Sequence, residues 1–335
     1  MSLRDRLVAQ IAAEGPITIA DLMTACLHDP VDGYYATRPA LGATGDFITA
    51  PHVSQMFGEL IGLWVVDVWW RLGSPARFVL TELGPGDGTL LVDILRAMRL
   101  APACLAAAEI WLVESSLPLR HKQSAALAAR TVAWVADFAE IPGDAPIIIL
   151  ANEFLDCLPI RQWISDGQAI IERRVGLDDD GALAFTPTGE GDVIETSEAL
   201  VHLAKAIGDR LAGGPGAALL IDYGRDAPSV GDTLQALQGH QKECPLAHPG
   251  QADLTAHVDF PAFIKAAGGS WSLTGQGEFL RALGIDARSE ALMAARPDRA
   301  EVIARQRDRL VAPDQMGTLF KVASLVSIVG LEGRP

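Results

Sequence analysis

Three glycines at alternate positions, Gly84, Gly86 and Gly88, stand behind an apolar run, residues 78–83, that carries an acid, Glu82, near its end. Thr89 then opens an amphipathic segment in which Leu90, Leu91, Ile94 and Leu95 share one helical face. Strand, bare turn and helix in this order suit a nucleotide-like ligand. Alternate side chains are missing, so backbone amides and the positive end of a helix dipole can come close to it. The same order also serves as an ordinary strand-to-helix turn. A dinucleotide fingerprint wants a third glycine five residues after the first, where Thr89 stands instead, so the spacing leans away from NAD.

An acid followed by G-x-G-x-G resembles the first motif of S-adenosylmethionine-dependent methyltransferases of the Rossmann-like class, in which Glu82 would lie near the methionine ammonium. Glu114 ends the next strand pattern, residues 110–113, where a carboxylate can accept both ribose hydroxyls of an adenosine. Asp137 and Phe138, one strand further, are candidates to hold the adenine amino group and cover its ring. Asn152, Glu153, Phe154, Leu155 and Asp156 follow the fourth strand pattern, where such enzymes present the methyl acceptor. The N-P-P-Y signature of amide and exocyclic-amine methylation is missing, because Phe154 and Leu155 stand at its second proline and tyrosine. Glu153 and Asp156 can instead grip a guanidinium through charge-assisted hydrogen bonds; for Asp156 a turn or helix cap is the competing reading.

The elements that must position these residues follow from periodicity. Helical patterns cover residues 3–13 and the stretch from Thr18 to about position 28, and a glycine-rich loop with Tyr34, Tyr35 and Phe47 either covers a ligand or fills core. From Val53, the positions Met56, Phe57, Leu60, Ile61, Trp64, Val65, Val68 and Trp69 mark one long buried helix with Pro51 in its first turn. Apolar strand runs at 78–83, 110–113, 131–135, 147–151 and 217–221 each end in polar residues, the last in Asp222-Tyr223-Gly224. In an open parallel sheet that edge holds the ligand. Residues 160–164, 169–175 and 182–185 alternate around Asp166-Gly167 and Asp180-Gly181, an antiparallel hairpin pattern. The expected fold is α/β, a Rossmann-like class I methyltransferase sheet with helices on both faces, plus an inserted α+β lobe with antiparallel hairpins. The expected division is an N-terminal helical segment and active-site loop (1–75), the Rossmann-like domain (76–157 and 215–335) and the inserted lobe (158–214).

At 335 residues and 49% hydrophobic content the chain can build a large core, and its formal charge of −15 without a basic cluster argues against a nucleic-acid partner. Cys26, Cys104, Cys157 and Cys244 lie far apart, which reads as reduced thiols in a cytoplasmic protein. The longest apolar run, residues 60–70, is too short to span a membrane and contains Asp67, so no membrane insertion is expected. His240, Cys244 and His248 are four residues apart, but Pro245 interrupts them and no fourth ligand has a standard spacing, so no metal is expected.

Ordered motifs then carry a closer resemblance: GDFITAPHVSQMFGELIGLW from Gly45, ELGPGDGTL from Glu82, ANEFLDCLPIRQW from Ala151, DYG from Asp222, ADLTAHVDF from Ala252 and MGTLFKV from Met316. The chain resembles the S-adenosylmethionine-dependent methyltransferases related to mitochondrial complex I assembly factor seven, a protein arginine methyltransferase. The resemblance implies S-adenosyl-L-methionine held at Glu82, Gly84, Gly86 and Glu114, and methyl transfer to arginine of a respiratory complex I subunit. It also implies loops at 45–52 and 253–260 that close over the site, with Asp46 touching the acceptor. Where relatives often carry a basic residue in the turn, this chain has Asp87, whose charge a helix start tolerates. The alternatives are an assembly chaperone that keeps the fold without turnover, and an NAD-dependent oxidoreductase, which the glycine spacing disfavours.

Overall fold

A computed structural model of the chain describes residues 1–37, 49–165, 167–188, 191–239 and 241–328; Asp46, Phe47 and His240 lie outside the described residues. Capping boxes start the first two helices, α1 (Leu3–Glu14) from Ser2 and Asp5 and α2 (Ile19–His28) from Thr18 and Asp21. The long apolar helix is divided. A short α3 (Ala50–Val53) holds Pro51, Ser54 is extended, and its hydroxyl accepts the Met56 N–H to begin α4 (Gln55–Arg71). Among the described residues no helix is long and apolar enough to cross a membrane.

The main sheet is built from β1 (Phe78–Leu83), β2 (Ala108–Val113), β3 (Val132–Val135) and β4 (Ile147–Asn152), with α5 (Thr89–Ala97) and α6 (Leu117–Ala126) in the first two crossovers. Four inserted strands follow, β5 (Arg161–Ser165), β6 (Ile170–Leu177), β7 (Leu183–Thr186) and β8 (Asp192–Thr196). Helix α7 (Glu198–Ala212) returns the chain to β9 (Gly216–Arg225), after which come α8 (Phe260–Ala267), β10 (Ser272–Gly275) and β11 (Phe320–Ser327). The order across the sheet is β10-β11-β9-β4-β1-β2-β3, parallel from β9 to β3, with β11 antiparallel to both neighbours. The chain winds outward to β3 on one side of β1 and to β9 on the other. The crevice at the carboxyl ends of β1 and β4 is therefore the switch point at which such sheets bind ligands.

Strands buried on both faces read as continuous apolar runs, and the side chains sort by parity. Phe78, Leu80, Ile148, Leu150, Leu219 and Ile221 pack toward α4 and α5, while Val79, Ile147, Ile149, Ala218 and Leu220 pack toward α7 and α8. A third core joins α1 and α2 to the inserted sheet, through Leu7, Ile11, Leu22, Met23, Cys157, Ile160, Val175 and Leu254. Ile17 and Thr18 pair with β6 itself. The first 75 residues therefore do not share one core: α1 and α2 pack with the inserted strands and α4 with the main sheet.

Helices α4 and α5 touch through Gly58 and Gly62. A Cβ at Gly62 would stand 2.7 Å from both the Ala97 Cβ and the Ile94 carbonyl oxygen. At an exposed helix site alanine stabilises relative to glycine by about 1 kcal/mol. Here the sign reverses, and Gly62→Val is expected to lower stability by about 1–3 kcal/mol, read as a lower urea midpoint at unchanged slope. A midpoint at or above that of the parent protein contradicts the close packing.

Candidate active site

Gly84, Gly86 and Gly88 all have positive φ, at 61°, 55° and 87°, which is why they alternate: the bend uses left-handed backbone three times, a region costly for side chains with a Cβ. Gly84 N–H donates to the Val113 carbonyl at 3.0 Å, tying the bend to β2, and Gly88 is the left-handed residue from which α5 starts. A Cβ on Gly84 would lie 2.4 Å from the Phe154 ring, so this glycine also admits the segment that follows β4. A cavity of about 250 Å³ opens against the bend, walled by Tyr35, Glu114, Leu119, Ala136, Phe154 and Asp156. A smaller recess of about 60 Å³ adjoins it between His52, Glu82, Asn152 and Glu153, and Gly84, Gly86 and Glu153 line both.

Glu114 is fixed by a side chain that the sequence did not single out. Gln123 on α6, fully buried, donates through Nε2 both to the Gly86 carbonyl at 2.8 Å and to Glu114 Oε2 at 3.1 Å. Its Oε1 accepts the Trp134 indole N–H, and Glu114 Oε1 accepts the Ser116 amide at 2.7 Å. One amide group thus locks the acid to the bend. Burial raises the Glu114 carboxyl above its ordinary value.

Four further carboxylates gather where β1, β4 and β9 end, and none of them pairs with a lysine or arginine among the described residues. Glu82 is 3% exposed, its Oε2 has no hydrogen-bond partner among the described residues, and burial, with Asp87 nearby, pushes its carboxyl up to about 8. Glu153 holds a non-glycine backbone at φ 50° and accepts the Ala50 N–H at 2.8 Å and the Asn152 amide at 3.2 Å. Enclosure raises it to about 7. Asp156 is raised by burial to about 6, against the opposing effect of the Tyr223 hydroxyl, which donates to it at 2.5 Å. Asp222, with no exposed surface, accepts the successive N–H groups of Phe154, Leu155 and Asp156 at 3.1, 2.8 and 3.1 Å. Burial first, then the Asp156 and Glu153 charges, raise it. The cap of this turn is therefore Asp222, and Asp156 is left to face the cavity.

Asp87 accepts the Thr89 N–H and stands 2.8 Å from His52 Nε2. Burial alone would raise Asp87, but His52 and Thr89 bring it down to about 2, while the same contact raises His52, so the two form an ion pair. Helix α3 is thus pinned at both ends, by His52 to the glycine bend and by Ala50 to Glu153.

Of the residues expected from sequence, Glu82, Gly84, Gly86, Glu114, Asn152, Glu153 and Asp156 come together around the two recesses. Gly88 does not line them; it stands behind the bend, facing Gln123. Asp137 and Phe138 are corrected. The Asp137 carboxylate caps the turn that begins at Phe138, and the Phe138 ring is buried in the core with Ile141 and Leu155, while Ala136 alone of that segment reaches the cavity. Gln123, Asp222, Tyr223 and His52 were missed. The acid in DYG was the one available signal, since Asp222 ends an apolar run beside β4.

The arrangement fits a cationic adenosyl ligand. An orphaned buried Glu82 oxygen wants a positive or donor group, Glu114 offers acceptors to hydroxyls, and bare backbone at Gly84 and Gly86 lies between them. A family profile described as "Putative S-adenosyl-L-methionine-dependent methyltransferase" matches residues 60–278. The Danio rerio protein arginine methyltransferase NDUFAF7, mitochondrial, is 34% identical over 99% of this chain and 89% of its own length; the Homo sapiens protein of that name is 33% identical over 98% and 84%. A Burkholderia thailandensis crystal structure with S-adenosylhomocysteine bound superposes with a TM-score of 0.83 at 27% identity, covering 98% of this chain and 92% of that one. The expectation of a cytoplasmic protein is overturned by these relatives, which are named mitochondrial. By profile, by relatives and by fold, this chain belongs to the S-adenosyl-L-methionine-dependent methyltransferases.

Proposed function

We propose that the protein transfers the methyl group of S-adenosyl-L-methionine to an arginine side chain of a partner protein, a respiratory complex I subunit by analogy with the named relatives. The carrying observation is the cluster of buried carboxylates at the carboxyl edge of the sheet that, among the described residues, pair with no lysine or arginine, which suits two cations, the cofactor's and the acceptor's. Glu82 would take the methionine ammonium and Glu114 the ribose hydroxyls, with the Gly84 and Gly86 backbone against the chain between them. Glu153, Asp156 and Asn152 would receive the guanidinium.

The bound sulfonium supplies an activated methyl carbon. Attack by a guanidino nitrogen forms the N–C bond and breaks the S–C bond, the electron pair stays on sulfur, and the nitrogen gives its proton to a carboxylate. Alignment supplies most of the acceleration. Effective molarity in a good geometry is worth ~7–11 kcal/mol, against ~3–5 kcal/mol for a general base. Asp222 serves that alignment by fixing three consecutive amides of the acceptor segment. Glu153, at about 7, is matched to accepting a proton near neutral pH.

Arginine as the acceptor is tested by mass spectrometry of cells lacking the gene: a methyl-arginine peptide disappears and returns on complementation. Loss of methyl-lysine alone, or no loss, overturns the arginine assignment. Glu153→Gln keeps shape and the oxygen facing Ala50 while removing the charge. It is expected to slow tritium transfer to that substrate by about 100-fold or more, with cofactor affinity unchanged.

The cofactor site carries its own test. At pH 7 a Glu82 carboxyl near 8 is mostly protonated, and a bound ammonium lowers it, so binding releases a proton. Titration calorimetry should give binding heats that differ between phosphate and Tris by their ionisation enthalpies, for S-adenosylmethionine and S-adenosylhomocysteine alike, with the difference abolished in Glu82→Gln. Equal heats in both buffers contradict the Glu82 assignment.

A further inference from the structure

Behind residues 155–158 lies a second groove of about 480 Å³, larger than the cofactor cavity and sharing with it the wall formed by Asp156 and Leu158. Its far side is α7, and its floor is the stretch 256–259. The volume falls in the ~300–1,000 Å³ range of binding pockets.

The lining is apolar in the middle, with Ile160, Leu200, Val201, Val258 and Ala262, and acidic in balance: Asp156, Glu195, Glu198 and Asp259 against Lys205 and Arg225. Both cations are already paired, Arg225 with Asp259 at 3.2 Å and Lys205 with Asp209 at 2.7 Å. Among the described residues the Glu195 carboxylate accepts from neutral donors, Gln162 and Thr233, while Arg225 donates to the Glu195 main-chain carbonyl. Glu198 stands on the rim, its side chain 84% exposed, with Arg161 at 3.3 Å. The groove also connects physically to the acceptor side. The His257 ring in its floor packs edge-on against Tyr223 at 5.5 Å, and Tyr223 donates to Asp156.

Resting on the function proposed above, we propose that this groove seats the segment of the substrate protein that flanks the methylated arginine. It takes a bulky apolar side chain between α7 and residues 155–160 and a basic neighbour at the Glu198 rim. The acidic balance selects a cationic segment over an acidic one, and the shared wall at Asp156 sets the occupant beside the carboxylates that would receive its guanidinium. An arginine-bearing peptide is therefore read at two places, the guanidinium on one side of the wall and its apolar neighbour on the other.

The test uses the full chain with saturating S-adenosylhomocysteine and fluorescein-labelled arginine peptides, one carrying leucine and phenylalanine beside lysine, the other aspartate in place of the apolar pair. Val201 is 46% exposed on a helix, so Val201→Arg should fold, and Val201→Gln removes the apolar contact without adding charge. Expected in fluorescence anisotropy is saturable binding of the apolar peptide by the parent protein, about 10-fold or more tighter than of the aspartate peptide. Val201→Arg should lose about 10-fold or more and Val201→Gln less, with cofactor affinity intact in both. Equal binding of the two peptides, no binding of either, or unchanged binding by Val201→Arg overturns the groove, as does a concentration-dependent dimer that Val201→Arg abolishes. Methyl transfer with S-adenosylmethionine is scored separately. Binding without methylation defeats the arginine reading and leaves the groove standing; methylation indifferent to Val201→Arg does the reverse.

Discussion

The constraint on which this site depends is an imbalance of charge: carboxylates are gathered at one sheet edge and, among the described residues, no lysine or arginine pairs with Glu82, Glu153, Asp156 or Asp222. Water would hold an ionised Glu82 far better than the protein does, and the result is a carboxyl shifted toward its neutral form. A folded chain that accepts this cost has left part of an electrostatic interaction to be completed from outside. A cation brought into such a low-dielectric recess would lower the carboxyl into its ionised form, because the pair interacts strongly there. The opposite shift of the nearby Asp87 makes the contrast. There His52 supplies the cation from within, and the carboxyl falls to about 2. The two acids differ in their partners: Asp87 has His52 and the Thr89 N–H and braces α3 and α5, while a Glu82 oxygen has none among the described residues.

Topology decides where the imbalance sits. β1 and β4 are neighbours whose connections leave in opposite directions, so the crevice between their carboxyl ends is free of crossing chain. Polar side chains there come from different strands, Glu82 from β1, Asn152 from β4 and Asp222 from β9, and register sets them close without a dedicated loop. Asn152 pairs with Ile221, which places Asp222 one residue beyond the end of β4, where it meets the amides of residues 154–156. Those N–H groups have no strand partner in the turn, and a buried carboxylate satisfies them together.

Local patterns in the sequence carried the parallel core and the bend. The runs 147–151 and 217–221 are apolar at every position, and 78–83 at all but Thr81 and Glu82, because both faces are covered, and the alternate glycines mark three left-handed residues that no other side chain holds as cheaply. The placement of Glu114 beside the bend followed from the same grammar. What stayed hidden was long-range. Gln123 reads as a surface residue of a polar helix until the fold sets it between Gly86 and Glu114, and nothing near it in sequence announces that position. Asp137 and Phe138 occupy the right place in the strand order, yet a local capping box and a hydrophobic contact claim them first. The split between α3 and α4 was invisible because Pro51 suits a first turn of either helix.

The segment that follows β4 illustrates how a turn is made rigid. Phe154 lies against Gly84 of the bend, Leu155 belongs to the core shared with α7 and α8, and Cys157 belongs to the core shared with α1, α2 and the inserted strands. Successive residues are thus anchored in different bodies, and Asp222 ties their amides from beneath. Such a segment cannot move without disturbing more than one core, since close-packed interiors transmit strain rather than absorb it. That rigidity sustains Glu153 at positive φ, a conformation that persists only when its surroundings over-determine it. The inserted lobe and the N-terminal helices therefore do more than enlarge the protein. They complete the frame that holds two carboxylates at a fixed distance from the glycine bend, and an in-line transfer gains its rate from that fixed distance.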